Sequence, residues 1–528
     1  MRTQTVVRLL SPVLLALAAG CSSYSEAGLY DSGGDSNATA DSSPQGSAGD
    51  SNPSGEAPND EGGGSTGGAE PTTGAEASTG EPESSSSSGG EPACDAEAPV
   101  VLYLSPDDSN STSSPVQARE AVLGGFGLAS TPLRTWEFLN YYGFDYPRAD
   151  PGSVVVTPQL ARVGASQDTF TLQIGVSSEK IANADRPLMN VTLVLDESGS
   201  MEGASMDMQK ATCRAIAGSL RKGDVVSMVG WDTENAVKMD GHVITGADDP
   251  TLLKAIDELE AGGGTDLNGG LNAGYDLAHK QFDQTRINRV VLISDGGANA
   301  GVTDIETISG GAGAQDKDGI YLVGVGVGEG SYYNDALMDA VTDAGRGASL
   351  FIPSEAEANK MFGERFVSTM HVAARDVQVQ LDMPPGFKIV KFSGEEYSSD
   401  PAEVQPQHLA PNDAMVFHQT IATCAPEQIG ETAEIKVTAR FLDARSFKAK
   451  EVASSLFIGA AVAEAQPQLL KGAAVFEYAE SLKLVRDQPS TAEAAAAVKL
   501  ALAALAAAEA SNPGDADLAE IRSVLKLL

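Results

Sequence analysis

Five short apolar runs, separated by amphipathic sequence, constrain this chain more than any other feature. They occupy residues 191–195, 225–229, 290–293, 321–327 and 350–352. Between them lie segments such as Leu252-Leu253-Lys254-Ala255-Ile256-Asp257-Glu258-Leu259, whose apolar residues recur at helical spacing. Uniformly apolar strands are those covered on both faces, and strand–helix alternation builds parallel sheets through right-handed crossovers. Residues 189–375 are therefore expected to form an α/β unit around a doubly wound, mostly parallel sheet.

On either side the pattern changes. Residues 154–163 and 169–176 alternate as strands within a flanking region, 99–188, which also holds the aromatic cluster Trp136-Glu137-Phe138-Leu139-Asn140-Tyr141-Tyr142-Gly143-Phe144. The spacing of Phe138, Tyr141 and Tyr142 suits a packed helix. Residues 377–381, 415–421 and 435–440 alternate again, which predicts an antiparallel β unit over 376–460. A C-terminal helical segment, 461–528, follows, with helices expected at 468–487, 492–510 and 515–528. The alanine-rich middle one carries Lys499 at its centre and Glu493 and Glu509 near its ends, so it reads as a packing or partner helix rather than a membrane span.

The N-terminal hundred residues have a different composition. Arg2 and Arg8, a short apolar stretch and Leu17-Ala18-Ala19-Gly20-Cys21 have the layout of an export signal, residues 1–20, too short to span a bilayer. From Cys21 to Glu97 there is no Lys or Arg, and Ser, Gly, Glu, Asp and Pro dominate. Such a stretch cannot bury enough apolar surface to offset the entropy of ordering, so 21–98 is expected to be a disordered acidic linker. It carries much of the net charge of −38. With no Lys/Arg cluster anywhere, nucleic acid is not expected as a partner. Around Cys21 the sequence resembles the bacterial lipobox, which implies acylation of Cys21, and Ser22 after it implies the outer membrane. Export in turn permits disulfides. Cys213 lies on the apolar face of a predicted helix and is expected to be a buried thiol, which leaves Cys94 and Cys424 as a possible bridge.

The chemistry is concentrated where two buried strands end. Asp196-Glu197-Ser198-Gly199-Ser200 follows the first run and Ser294-Asp295-Gly296 the third, while Thr265 sits in Gly262-Gly263-Gly264-Thr265-Asp266. Open α/β sheets bind ligands at the carboxyl ends of their strands. Hydroxyls with few carboxylates suit a small hard cation, which takes about six oxygen ligands and keeps several waters. The expected metal ligands are Asp196, Ser198, Ser200, Thr265 and Asp295, and the expected cofactor is Mg2+, with Mn2+ or Ca2+ as alternatives.

This ordered set resembles the metal-ion-dependent adhesion site of von Willebrand factor type A domains, whose sheet is Rossmann-like. Three motifs extend the resemblance to a bacterial YfbK-like group of exported A-domain proteins. They are Phe138-Leu139-Asn140-Tyr141-Tyr142-Gly143-Phe144-Asp145-Tyr146-Pro147, Arg289-Val290-Val291-Leu292-Ile293-Ser294-Asp295-Gly296-Gly297-Ala298-Asn299-Ala300-Gly301 and Tyr333-Asn334-Asp335-Ala336-Leu337-Met338. The resemblance implies that a protein partner's Glu or Asp completes the coordination of the ion. The expected function is a metal-dependent protein-binding module for adhesion, assembly or scaffolding, lipid-anchored in the cell envelope and not an enzyme.

Two other readings compete. A metal-assisted hydrolase needs a general base beside the ion, and Glu197 and Asp266 are the neighbours in sequence that could serve. A metal-free structural tether would leave the site without a role. The bland account, in which Ser198 and Ser200 cap a helix and Asp295 ends a strand, explains each residue singly but not three ordered sets on three loops. The five histidines show no zinc spacing, Gly324-Val325-Gly326-Val327-Gly328 lacks dinucleotide spacing and reads as a glycine-rich turn, and Asp316-Lys317-Asp318-Gly319 reads as a turn before a strand.

Overall fold

The computed structural model describes residues 97–528 apart from 108–110, 165, 167, 298–318, 329–332, 431 and 460–465. The signal, Cys21, Cys94, most of the acidic linker, the 316–318 turn and the end of the motif running to Gly301 lie outside the described residues. Everything below belongs to the unit Gly89–Leu528.

In chain order the strands are β1 (Val100–Ser105), β2 (Val155–Arg162), β3 (Thr169–Ser177), β4 (Met189–Asp196), β5 (Val225–Trp231), β6 (Asn235–Val243), β7 (Ile287–Ser294) and β8 (Tyr321–Val327). They continue with β9 (Ser349–Ile352), β10 (Ala374–Met383), β11 (Phe387–Phe392), β12 (Glu396–Ser398), β13 (Gln407–Leu409), β14 (Ala414–Thr423), β15 (Glu434–Asp443) and β16 (Ala449–Phe457).

The expected α/β sheet has the order β6-β5-β4-β7-β8-β9. All neighbours are parallel except β5 and β6. Strands β4 and β7 are buried along their whole length. Alternate side chains serve opposite faces, as the pleat requires. Val191, Leu193 and Leu195 pack with Val291 and Ile293 against the helices Ala204–Ser219 and Pro250–Asp257 and the segment 355–370. Val194, Val290 and Leu292 pack on the other face against the helices Leu267–Lys280 and Asp335–Ala344. The sheet is doubly wound. Gly324 and Gly326 lie inside β8, as the apolar run 321–327 predicts and not in a glycine-rich turn, and the covering layer there sits too close for a side chain. A Cβ at Gly324 would fall 2.1 Å from Thr342 and one at Gly326 would fall 2.3 Å from the Tyr333 ring.

The flanking region and the later β unit, read from the sequence as separate segments, share their sheets. β1 pairs antiparallel with β10, and β3 pairs antiparallel with both β2 and β14. The resulting sheets, β12-β1-β10-β15-β16 with β13 beside β10, and β11-β14-β3-β2, bury one apolar layer including Phe170, Ile174, Val379, Leu381, Phe417 and Val437. The reason is stoichiometric: each segment supplies strands with one apolar face, and neither closes a two-layer core alone.

The helices Pro467–Asp487, Ala492–Ser511 and Ala516–Leu525 close the chain. They pack against the aromatic motif, where Phe138 and Tyr142 meet Tyr478 edge-on at 5.5 and 6.3 Å. Ala492–Ser511 is long and apolar enough by composition to cross a membrane. Here it buries a helical stripe of Ala494, Val498, Ala501, Leu505 and Ala508 within the shared core, as a packing helix does.

Candidate metal centre

The chain enters the central sheet at β4, builds outward to β5 and β6, then returns to place β7 on the other side of β4. That reversal opens a crevice between the carboxyl ends of β4 and β7, the topological switch point of an open α/β sheet. Asp196 is the last residue of β4, and Asp295 directly follows β7.

Asp196 is fully buried. Its Oδ1 accepts the Ser198 amide at 2.9 Å and its Oδ2 accepts the Ser294 hydroxyl at 2.6 Å. The first bond bends the chain straight after the strand, so Ser198 and Ser200 return to the same side, with their Oγ atoms 3.1 Å apart. The chain then passes through a short turn, Gly199–Met201, into the helix Ala204–Ser219, and Gln209 reaches back to the Asp196 carbonyl at 2.9 Å.

The glycine loop is fastened to this first loop. The Gly262 amide donates to the Glu197 carbonyl at 2.7 Å and the Gly199 amide to the Gly263 carbonyl at 3.3 Å. Gly263 has φ +76°, and a Cβ there would lie 2.8 Å from the Asp232 carboxylate, so glycine is required. These contacts bury Thr265 at the crevice. On the third loop, Asp295 Oδ1 accepts the Gly297 amide at 3.0 Å. A Cβ on Gly297 would stand 3.2 Å from that oxygen, 3.4 Å from Thr265 Cγ2 and 3.8 Å from Ser200 Oγ. One point thus touches three loops, through Asp295, Thr265 and Ser200, with Ser198 beside Ser200 and Asp196 bonded to the Ser198 amide.

The chemistry of the set fits a cation. Burial pushes the Asp196 carboxyl up to about 7, against the opposing pull of its bonds to Ser198 and Ser294 and with Asp295 adding to the rise. A buried carboxylate with a second one nearby and, among the described residues, no basic side chain bonded to it is a group whose charge a metal ion would stabilise. Among the described residues no three His, Cys, Asp or Glu side chains cluster as a metal site. A holder built from two carboxylates and three hydroxyls is of a different kind, suited to a hard cation that keeps water.

The two residues that hydrolysis would need are engaged elsewhere. Glu197 is ion-paired with Lys238 at 2.7 Å and accepts the Glu260 amide at 3.3 Å. Asp266 caps the helix Leu267–Lys280 by accepting the Gly269 amide at 3.0 Å. Sequence reasoning passed over Ser294, whose hydroxyl fixes Asp196. Its only signal was its place immediately before Asp295. Of the cysteines, Cys213 is free and buried, while Cys424 is disulfide-bonded.

Comparison with known proteins concerns the domain that holds this site. Residues 191–298 match the family model of the von Willebrand factor type A domain. The chain is 26% identical over 272 residues to the uncharacterized protein YfbK of Escherichia coli, a match covering 49% of this chain and 47% of that one. It is 24% identical over 233 residues to the uncharacterized protein sll0103 of Synechocystis sp., covering 44% and 54%. The chain therefore spans about half the length of the relatives it matches. Among solved structures, a von Willebrand factor type A protein from Catenulispora acidiphila aligns with a TM-score of 0.47 at 16% identity, over 70% of this chain and 90% of that one. The ArnB paralog VWA2 from Sulfolobus acidocaldarius aligns with a TM-score of 0.40 at 16% identity, over 71% and 97%.

Proposed function

We propose that the von Willebrand factor type A domain in this chain is a metal-dependent hook for an acidic protein partner. What supports this reading is that Ser200, Thr265 and Asp295 from three loops stand around Gly297 at the switch point of the sheet, with Ser198 beside Ser200 and Asp196 bonded to the Ser198 amide. These five residues would hold Mg2+, with Mn2+ or Ca2+ as alternatives, directly or through water. When bound, the cation supplies an electropositive point that accepts a Glu or Asp carboxylate from the partner. The protein's own contribution is to fix the oxygens beforehand: Ser294 and the Ser198 amide orient Asp196, and the Gly297 amide orients Asp295. The use is adhesion, assembly or scaffolding. Glu197 and Asp266, held by Lys238 and by a helix cap, argue for binding over metal-assisted hydrolysis.

The module is further proposed to be exported and anchored in the outer membrane through acylated Cys21, with residues 22–98 as an acidic leash and Cys94 as the partner of Cys424. Cys21→Ser should move the protein from the membrane to the soluble fraction. The central experiment is a pull-down from envelope extracts with wild type and Ser198→Ala, each with Mg2+ and with EDTA. Retention by wild type in Mg2+ alone is expected. A partner retained in all four samples would sink the metal-bridged model and favour a metal-free tether.

A further inference from the structure

We infer that a second cleft, at the opposite end of the central sheet, binds a small organic anion, with arginines gripping its carboxylate or phosphate and aromatic rings holding its apolar body. The cleft has a volume of about 710 Å³ and opens where the first residues of β7 and β8 meet the start of β10 and the turn after β15. Arg289 in its wall precedes Asp295 by six residues along β7, which at roughly 3.3 Å per residue puts it about 20 Å from the metal centre.

Arg286, Arg289, Arg375, Arg445 and His371 line this cleft, and no Asp or Glu stands among its described lining residues. In a chain of net charge −38, that is a local reversal of sign, and a concave wall of one sign concentrates counter-ions. Some of the charge is already answered. Arg445 pairs with Glu179 at 3.0 Å, Arg286 lies 3.6 Å from Asp283, and Arg289 donates to the Met370 carbonyl at 2.9 Å. Arg375 is different. Its guanidinium lies between the rings of Tyr321, at 5.2 Å, and Phe447, at 4.9 Å, and its Nε is buried without a hydrogen-bond partner. Contact with two rings limits the guanidinium's freedom, and its fork matches a carboxylate or phosphate.

The aromatic side of the cleft is built at a cost in backbone strain. Phe447 sits at φ +54°, a region that bulky side chains rarely enter, and its ring is 57% exposed while it covers Arg375. Phe282, 41% exposed, stands on the same cleft. Burial, followed by Arg289, Arg445 and Arg186, pushes His371 down to about 3, so near neutral pH it adds a neutral imidazole and no charge.

The test uses the full chain and isothermal titration with phenyl phosphate and with phthalate, which separate a phosphate ligand from a carboxylate one, and with benzyl alcohol as the neutral comparison. At least one anion is expected to bind one-to-one, with benzyl alcohol silent. Arg375→Gln and Phe447→Ala are each expected to weaken binding by about tenfold or more, while Arg214→Gln, on the surface beside Asp257, leaves it unchanged. Thermal unfolding checks that the variants fold. Should Arg375→Gln not fold, Phe447→Ala and Arg445→Gln decide. Absence of saturable binding by both anions, or folded variants that bind like wild type, would overturn the proposal.

Discussion

Ser294 stands between the two carboxylates of the candidate metal centre, following one strand's last aliphatic residue and preceding Asp295, with its hydroxyl on Asp196. Groups that orient metal ligands typically change affinity by 10–100-fold when removed. Ser294→Ala should therefore keep the fold and weaken Mg2+ binding by about that factor, while Asp196→Asn should lose it, both read by calorimetric titration of Mg2+. Equal affinity in Ser294→Ala and wild type would show that Asp196 does not need this bond. The five expected ligands were legible as a pattern, because their identities and order on three loops resemble a known kind of site. The bond from Ser294 and the Glu197–Lys238 pair were not, because both depend on which strands become neighbours. Glu197 finds Lys238 only once β6 folds back beside β5.

At the scale of elements, the strands that sequence marked well are those buried on both faces, such as β4 and β7. β6 was missed because it is an edge strand, mostly exposed and irregular in register, with no apolar pattern to signal it. Residues 355–370 form a helix in pieces, Glu355–Asn359, a wider turn at Lys360–Glu364, and Phe366–Met370. There the Met361 and Phe362 carbonyls accept the hydroxyls of Thr369 and Ser219, at 2.9 and 2.6 Å. Another junction joins the helices Ser113–Leu123, Thr135–Tyr141 and Asp335–Ala344 through Arg134, which faces Glu137 at 3.2 Å, Asp339 at 3.1 Å and also Asp335. Burial pushes Glu137 up to about 7, although Arg134 opposes it, with Asp339 and Asp335 adding to the rise. A carboxyl raised in the native state holds a proton that the unfolded chain has released, so its contribution to stability is lost as pH rises from its ordinary value through about 7. Relative to Glu137→Gln, wild type should lose roughly 3 kcal/mol between pH 4.5 and 8, at about 1.4 kcal/mol per pH unit, measured by urea unfolding. A difference that stays constant with pH would rule out Glu137 as the titrating group.

Across the whole molecule, segments far apart in sequence share one network, which is why the domain boundaries were the least legible part of the chain. Composition changes at residues 188 and 376, yet the strands on either side pair with each other. Arg119 is the polar counterpart of that sharing. From the N-terminal helix Ser113–Leu123 it bonds Glu357 at 2.8 Å beside the central sheet, Glu520 at 3.2 Å on the last helix, and the Tyr141 hydroxyl at 2.6 Å. Arg119 and Glu357 are both buried. Removing one member of a buried pair strands the other's charge and costs about 3–5 kcal/mol, whereas replacing both with apolar groups of similar size is often neutral. Arg119→Met should therefore destabilise the protein by about that amount in chemical denaturation. The double variant Arg119→Met with Glu357→Met should recover most of it, with the Tyr142 hydroxyl still donating to Glu520 at 3.2 Å. If the double variant is as unstable as the sum of the two single ones, the arginine acts through its contacts with Tyr141 and Glu520 and not through Glu357. The three segments would then be joined by the aromatic core of Phe138, Tyr142 and Tyr478.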